Sequence, residues 1–104
     1  MRIDFERSGG IAGTRLAAAI DTRSLKAQEI EALEELLRRS DFFQAPPNLG
    51  RDDPSADRFH YVVTIADPAR KHTVSRGESE LSPSMRALID WLTQASRRMR
   101  ARTR

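Results

Sequence analysis

The sequence contains no cysteine among its 104 residues. Disulfide bonds and thiolate metal sites are therefore excluded, and the composition favours a cytoplasmic protein. Long hydrophobic runs are also missing, since none approaches the ~20 apolar residues that a membrane-spanning helix needs. Residues 1–6 alternate polar and apolar side chains and lack the apolar core of a signal peptide. We therefore expect no contact with a membrane.

Groups suited to catalysis or metal binding are scarce. The sequence has two histidines, His60 and His72, and a tight turn after residue 67 would place His72 opposite Ile65, far from His60. We expect both histidines to be exposed on strands. Acidic residues of segment 45–58 have no histidine at metal-ligand spacing, and no serine stands in a nucleophile-elbow context. The sequence favours a binding protein over an enzyme, without catalytic residues, metal or cofactor.

Positive charge is concentrated at the C-terminus, where residues 97–104 contain five arginines. Without them the remaining chain carries 13 Lys and Arg against 15 Asp and Glu. A basic tail can dock on nucleic acid, but no aromatic residues are interleaved and no reading motif is present. A solvated helix end, whose arginines complement the helix dipole, is the simpler interpretation. We predict one domain over residues 1–96 and a basic tail over residues 97–104.

Apolar periodicity predicts the element order β-β-α-β-β-α. The predicted strands are residues 1–6, 15–20, 59–65 and 71–76, and the predicted helices are residues 26–39 and a second beginning at Ser82-Pro83. Strand pairs and helices in blocks indicate an α+β fold, in which two helices pack on one face of a four-stranded antiparallel sheet made of two hairpins. The apolar stripe of the first helix runs from Ala27 to Leu37, and that of the second from Met85 to Ala95.

The register of the first hairpin is left open by the sequence. A four-residue loop over residues 9–12 would pair Phe5 with Leu16 and Ile3 with Ala18. A two-residue loop at Gly9-Gly10 keeps the same apolar face together, because the shift is two residues.

A glycine-rich segment joins the first two predicted strands and includes three of the chain's five glycines. Its residues are Ser8, Gly9, Gly10, Ile11, Ala12 and Gly13. Glycine leaves the main chain bare, so another molecule can approach it closely. The spacing matches neither a dinucleotide-binding loop nor a P-loop. A hairpin turn that needs glycine only for positive φ is the alternative explanation.

The pattern Ile3-x-Phe5-x-Arg7-Ser8-Gly9-Gly10-Ile11-Ala12-Gly13, continued by Leu16 and Asp21, resembles the emfourin family. Weaker similarity continues through the body of the chain, but not through the proline-rich segment or the arginine tail. The resemblance implies a protein inhibitor of thermolysin-like (M4, protealysin-type) zinc metallopeptidases. The catalytic zinc would belong to the peptidase partner, and the inhibitor itself would need no metal.

On the basis of this resemblance, our hypothesis is that the protein binds the peptidase through the glycine-rich loop. Ser8–Gly13 would enter the active-site cleft of the peptidase, with Ile11 as its apolar anchor at a position where family members often carry phenylalanine. The proline-rich segment 45–58 is the rival contact surface, since long loops often carry binding function. We expect the free protein to be a monomer. The alternatives are a small interaction module that uses its acidic helix face, or a nucleic-acid-associated accessory protein acting through the arginine-rich tail.

Overall fold

The computed structural model describes residues 1–10, 13–48 and 59–102. Within them the elements follow the order β-β-α-β-β-α, which confirms the predicted α+β fold. The elements are β1 (Arg2–Gly9), β2 (Thr14–Asp21), α1 (Ala27–Ser40), β3 (Phe59–Ala66), β4 (Lys71–Gly77) and α2 (Pro83–Arg102). Neither described helix has the length and continuous apolar character required to span a bilayer.

The four strands form one sheet in the order β2-β1-β3-β4, and every neighbouring pair is antiparallel. The two hairpins are thus joined side by side through β1 and β3. Because side chains alternate across a strand, the odd-numbered residues of β1 and β3 face the same side of the sheet. Their buried members there are Ile3, Phe5, Tyr61, Val63 and Ile65.

The register of the first hairpin differs from the one that the four-residue loop predicted. Phe5 lies opposite Ala18 and Ile3 opposite Ile20, so both predicted pairs were wrong by two residues. The shift moves the loop to residues 10–13 and brings Arg7 opposite Leu16. The apolar face was nevertheless predicted correctly, because a two-residue shift leaves every side chain on its own side of the sheet.

Both helices contribute to a single core with this face of the sheet. α1 buries Leu33 and Leu37, whereas Ala27 is exposed in its first turn, contrary to the predicted stripe. α2 buries all five residues of its predicted stripe: Met85, Leu88, Ile89, Leu92 and Ala95. Burying one large apolar side chain is worth about 1.5–3 kcal/mol, so these stripes hold the helices against the sheet.

The ends of the helices follow from local hydrogen bonding. The main-chain N–H of Lys26 donates to the Glu29 carboxylate at 3.1 Å at the start of α1. α1 ends at Ser40, and the C-cap residue Asp41 has a left-handed φ of 51°. At the start of α2, Ser82 Oγ accepts from the Met85 N–H at 3.2 Å. This bond confirms the predicted helix start at Ser82-Pro83, with serine as the N-cap.

Candidate functional site

The glycine-rich loop closes the β1–β2 hairpin with three glycines in the left-handed region. The φ angles are 96° at Gly9, 79° at Gly10 and 62° at Gly13. The Gly13 N–H donates to the Gly10 carbonyl at 3.1 Å and closes the turn. These backbone angles alone account for three glycines, because other residues rarely adopt them.

The structure places the predicted loop residues in different settings. Ser8 and Gly9 are the last residues of β1, and Gly10 follows them, half-buried, at the start of the turn. Gly13 is exposed on the other side of the loop. Ile11 and Ala12 lie outside the described residues, so the assignment of Ile11 as an anchor stays a prediction.

Gly10 packs directly against an aromatic ring, whereas Gly13 does not. A Cβ atom built on Gly10 would lie 2.7 Å from Cε1 of Phe59, a separation that real Cβ atoms essentially never show. A Cβ atom on Gly13 would meet nothing within 4 Å. Glycine is therefore required at position 10 for two reasons, its positive φ and the close approach of Phe59. At position 13 the backbone angle is the only reason.

The ring of Phe59 is itself held from a second side by a cation. The guanidinium carbon of Arg7 lies 4.5 Å from the centroid of the Phe59 ring. Phe59 also contacts Tyr61, with ring centroids 6.3 Å apart, and Tyr61 stacks on buried Phe5 at 6.3 Å. The loop is therefore connected to the core through a column of three aromatic rings.

The pairing of β1 with β3 explains why these residues meet. Gly9 lies opposite Phe59 and Arg7 opposite Tyr61 in the ladder, with all four side-chain positions on the core face. The sequence predicted Phe59 only as the start of a strand and Arg7 only as a residue of the family motif. No local signal could assign them to the loop, because their contact depends on which strands are neighbours in the sheet.

Burial changes the titration of Tyr61 in this column. Desolvation raises the pKa of the Tyr61 phenol, and the negative charge of Glu78 raises it further. The phenol is therefore neutral at physiological pH, and its ring serves as part of the packing.

The proline-rich segment begins beside β4, which is the edge strand on the side of the sheet opposite β2. Nε2 of His72 donates to the Ala45 carbonyl at 2.7 Å, and the Ser75 N–H donates to the Pro47 carbonyl at 2.7 Å. Residues 45–47 therefore run beside β4. Residues 49–58 of the rival contact surface lie outside the described residues. The described chain resumes after this segment at Phe59, whose ring lies against Gly10 of the glycine-rich loop.

The two histidines differ in their surroundings. His60 is exposed, as predicted, and its Nε2 lies 2.7 Å from Ser75 Oγ. The prediction was wrong for His72, which is half-buried because its ring packs edge-on against Phe42, with centroids 5.6 Å apart. His72 lies opposite Ile65, as the turn predicted. Across the described ranges no three His, Asp or Glu residues come close enough together to hold a metal ion.

The arginine-rich C-terminus continues α2 without a break at residue 96. The guanidinium of Arg98 reaches back to the Glu29 carboxylate of α1 at 3.4 Å, and Arg97 is exposed. Such an exposed ion pair is worth about 0–1 kcal/mol. The division into a domain over residues 1–96 and a tail over residues 97–104 stays a prediction.

The fold is an α+β domain whose β1–β2 loop is supported by the Phe59 ring at Gly10. The emfourin family model matches residues 5–93, and the chain therefore belongs to the emfourin family. Emfourins are an inhibitor family, so membership supports a role as a protease inhibitor in general. The matched segment includes the whole glycine-rich loop and ends within α2. No curated protein and no solved structure matches the chain.

Proposed function

We propose that this protein inhibits a thermolysin-like (M4, protealysin-type) zinc metallopeptidase by placing the loop Ser8–Gly13 in the active-site cleft. Family membership supports the inhibitor role. The observation that carries the choice of loop is the close packing of Gly10 on Phe59, at 2.7 Å for a built Cβ. This contact supports the main chain at Gly10, where the turn begins.

The glycine-rich loop has few side chains, so we expect it to bind mainly through its main-chain groups. Main-chain N–H and C=O groups of the loop would pair with the strand-like edge of the cleft, as an added strand does. Ile11 is the only large apolar side chain of the loop, and it would fill the pocket that thermolysin-like enzymes offer to the residue after the scissile bond. A loop carbonyl would then lie near the zinc ion of the peptidase.

Resistance to cleavage follows from preorganisation. A loop held by the hairpin and by Phe59 cannot easily follow the distortion that peptide hydrolysis requires. The same rigidity reduces the entropy that is lost on binding. We further propose that the inhibitor acts in the cytoplasm as a monomer, with one inhibitor bound to each peptidase.

The test is a titration of a thermolysin-like peptidase, preferably from the same organism, at fixed excess zinc. Excess zinc removes inhibition by simple chelation. We expect stoichiometric loss of peptide hydrolysis with the unmodified inhibitor. A cognate peptidase that retains full activity would contradict the proposal.

The role of Ile11 is tested by Ile11→Asp, which places a charge in an apolar pocket. We expect a loss of at least 100-fold in affinity, because an unpaired buried carboxylate costs several kcal/mol. Ala32→Asp is the matched control, since it adds the same charge at an exposed position of α1. Circular dichroism checks that both variants fold. Unchanged inhibition by Ile11→Asp would remove Ile11 from the mechanism.

A further inference from the structure

The support beneath the glycine-rich loop has a layered construction. The Arg7 guanidinium lies 4.5 Å from the Phe59 ring centroid, and the same ring reaches within 2.7 Å of a Cβ built on Gly10. The Gly10 carbonyl in turn accepts the Gly13 N–H at 3.1 Å. A continuous series of contacts thus runs from Arg7 through Phe59 and Gly10 to the far side of the loop.

We propose that Phe59 and Arg7 are positioning residues, which hold the loop in its binding conformation without touching the peptidase. This inference rests on the proposed function and adds to it two residues outside the loop. We call the pair Arg7 and Phe59 the platform. Its task is to fix the main chain of Gly10, so that the loop does not have to be ordered during binding.

The flat shape of the ring is what this task requires. A planar ring can accept a guanidinium against its π-electrons and still lie close to the main chain of Gly10. Leucine would bury a similar apolar area but offers no flat surface to either neighbour. A role in core packing alone would therefore tolerate leucine at position 59, whereas the platform would not.

The position of Phe59 also distinguishes it from the core residues. Phe5 and Tyr61 are 2% and 7% exposed, but Phe59 is only partly buried at the edge of the core. It lies at the end of the sheet, opposite Gly9. Its removal is expected to affect the loop far more than the core, which extends from Tyr61 toward the opposite end of β3.

The platform holds one side of the loop and leaves the other side open. Gly10 packs against the ring, whereas a Cβ atom built on Gly13 would meet nothing within 4 Å. With its main chain fixed at Gly10, the loop would present the residues after Gly10 in one orientation. A ligand that is already in its bound conformation loses less entropy on association, so loss of the platform should weaken inhibition mainly through slower productive association.

The first measurement concerns the free protein and does not depend on its function. Backbone ¹⁵N relaxation gives order parameters for Gly10 and Gly13, which are expected near ~0.85 in the unmodified chain, as in rigid backbone. In Phe59→Leu and Arg7→Met they should fall below ~0.6, the range of flexible segments. Phe59→Tyr keeps the ring and should keep the high values. Order parameters of Val63 and Val74, in the sheet, report whether the fold is intact.

The second measurement compares inhibition by the same variants. We expect Phe59→Leu to bind the peptidase about 10- to 100-fold more weakly and to be cleaved within the loop during long incubation, because a mobile loop can adopt a cleavable geometry. Phe59→Tyr, which keeps the aromatic ring, should retain the affinity and the resistance to cleavage of the unmodified inhibitor. Arg7→Lys keeps the charge but replaces the planar guanidinium by a compact ammonium group, and we expect an intermediate loss of affinity.

The outcomes separate this inference from the proposed function. Rigid Gly10 and Gly13 in Phe59→Leu would overturn the platform, whatever the inhibition assay gives. A mobile loop combined with unchanged affinity would overturn its importance for binding. If the unmodified protein fails to inhibit, the proposed function is lost, and the relaxation data alone then decide whether the platform orders the loop.

Discussion

Gly10 and Gly13 offer a matched pair of substitutions that measures the contact under the loop. Both residues have positive φ, 79° and 62°, so replacement by alanine strains the backbone at either site. Only at Gly10 would the new methyl group collide with Phe59, at 2.7 Å from Cε1. The difference between the two alanine variants therefore isolates the close approach of the ring.

The expected losses can be worked out from these two effects. Alanine in the left-handed region costs about 1–2 kcal/mol, partly offset by about 0.4–1 kcal/mol because alanine restricts the unfolded chain more than glycine does. Gly13→Ala should thus lose roughly 1 kcal/mol. Gly10→Ala must also displace Phe59 and so loses a cation–π contact of about 0.5–1 kcal/mol and an aromatic contact of about 0.5–1.5 kcal/mol. We expect a total loss of about 2–3 kcal/mol at position 10.

Urea unfolding followed by circular dichroism measures these losses in the free energy of unfolding. In thermal unfolding, a difference of about 1–2 kcal/mol between the two variants corresponds to a difference in Tm of roughly 4–16 °C in a domain of this size. Phe59→Ala combined with Gly10→Ala completes a double-mutant cycle. Once the ring is absent, Gly10→Ala should cost no more than Gly13→Ala. Equal losses for the two single glycine variants, or a cycle without coupling, would refute the close packing of Phe59 on Gly10.

Two further predictions concern acid stability and the C-terminal tail. Hydrogen bonds from Arg23 lower the pKa of Asp21 from 3.8 to about 2, so its stabilising contribution is complete above pH 3.8 and is lost as the pH falls toward 2. Tm measured between pH 5 and 2 should therefore decline less steeply in Asp21→Asn, and an identical decline would contradict this assignment. Deletion of residues 97–104 should leave peptidase inhibition within about threefold. Among the described residues it removes the exposed ion pair of Arg98 and the packing of partly buried Met99 against the core, but no residue of the glycine-rich loop. If the full chain binds nucleic acid in a salt-sensitive manner and the deletion abolishes this binding, the accessory-protein alternative is favoured.

Local patterns were sufficient to predict the elements of this fold. Alternating apolar residues predicted β1 and β3 because one face of an antiparallel sheet is buried and the other is open. Ser82 followed by proline predicted the start of α2, since serine can accept the N–H of Met85. These signals lie within a few residues of each other and do not depend on the rest of the chain.

The register of the first hairpin could not be predicted from the same information. Pairing Phe5 with Leu16 or with Ala18 buries the same face, so hydrophobic alternation does not distinguish the two. The register therefore depends on the turn, and glycines at positions 9, 10 and 13 allow several loop lengths there. The contact of Phe59 with Gly10 adds a preference, but this contact becomes visible only when β3 is known to lie beside β1.

The second hairpin shows how few special residues a turn in this sheet requires. β3 and β4 are joined by Asp67-Pro68-Ala69-Arg70, in which the Asp67 carboxylate accepts the N–H groups of Ala69 and Arg70 at 2.8 and 2.9 Å. This turn contains no glycine and is closed by its own side chain. The β1–β2 loop instead carries three positive-φ glycines and rests on an aromatic ring with a guanidinium against it.

This contrast bears on the choice between a simple turn and a binding loop. Closing a hairpin accounts for the backbone angles of the glycines, but the β3–β4 turn reaches the same end at lower conformational cost, since glycine loses the most freedom on folding. The additional support makes physical sense if the bare main chain must keep one shape while it is exposed. An inhibitor loop must meet that requirement, because the peptidase cleaves chains that can adapt to its active site. The glycines therefore serve both to close the turn and, in the proposed function, to form the binding loop. Phe59 is the residue that supports the loop in both roles.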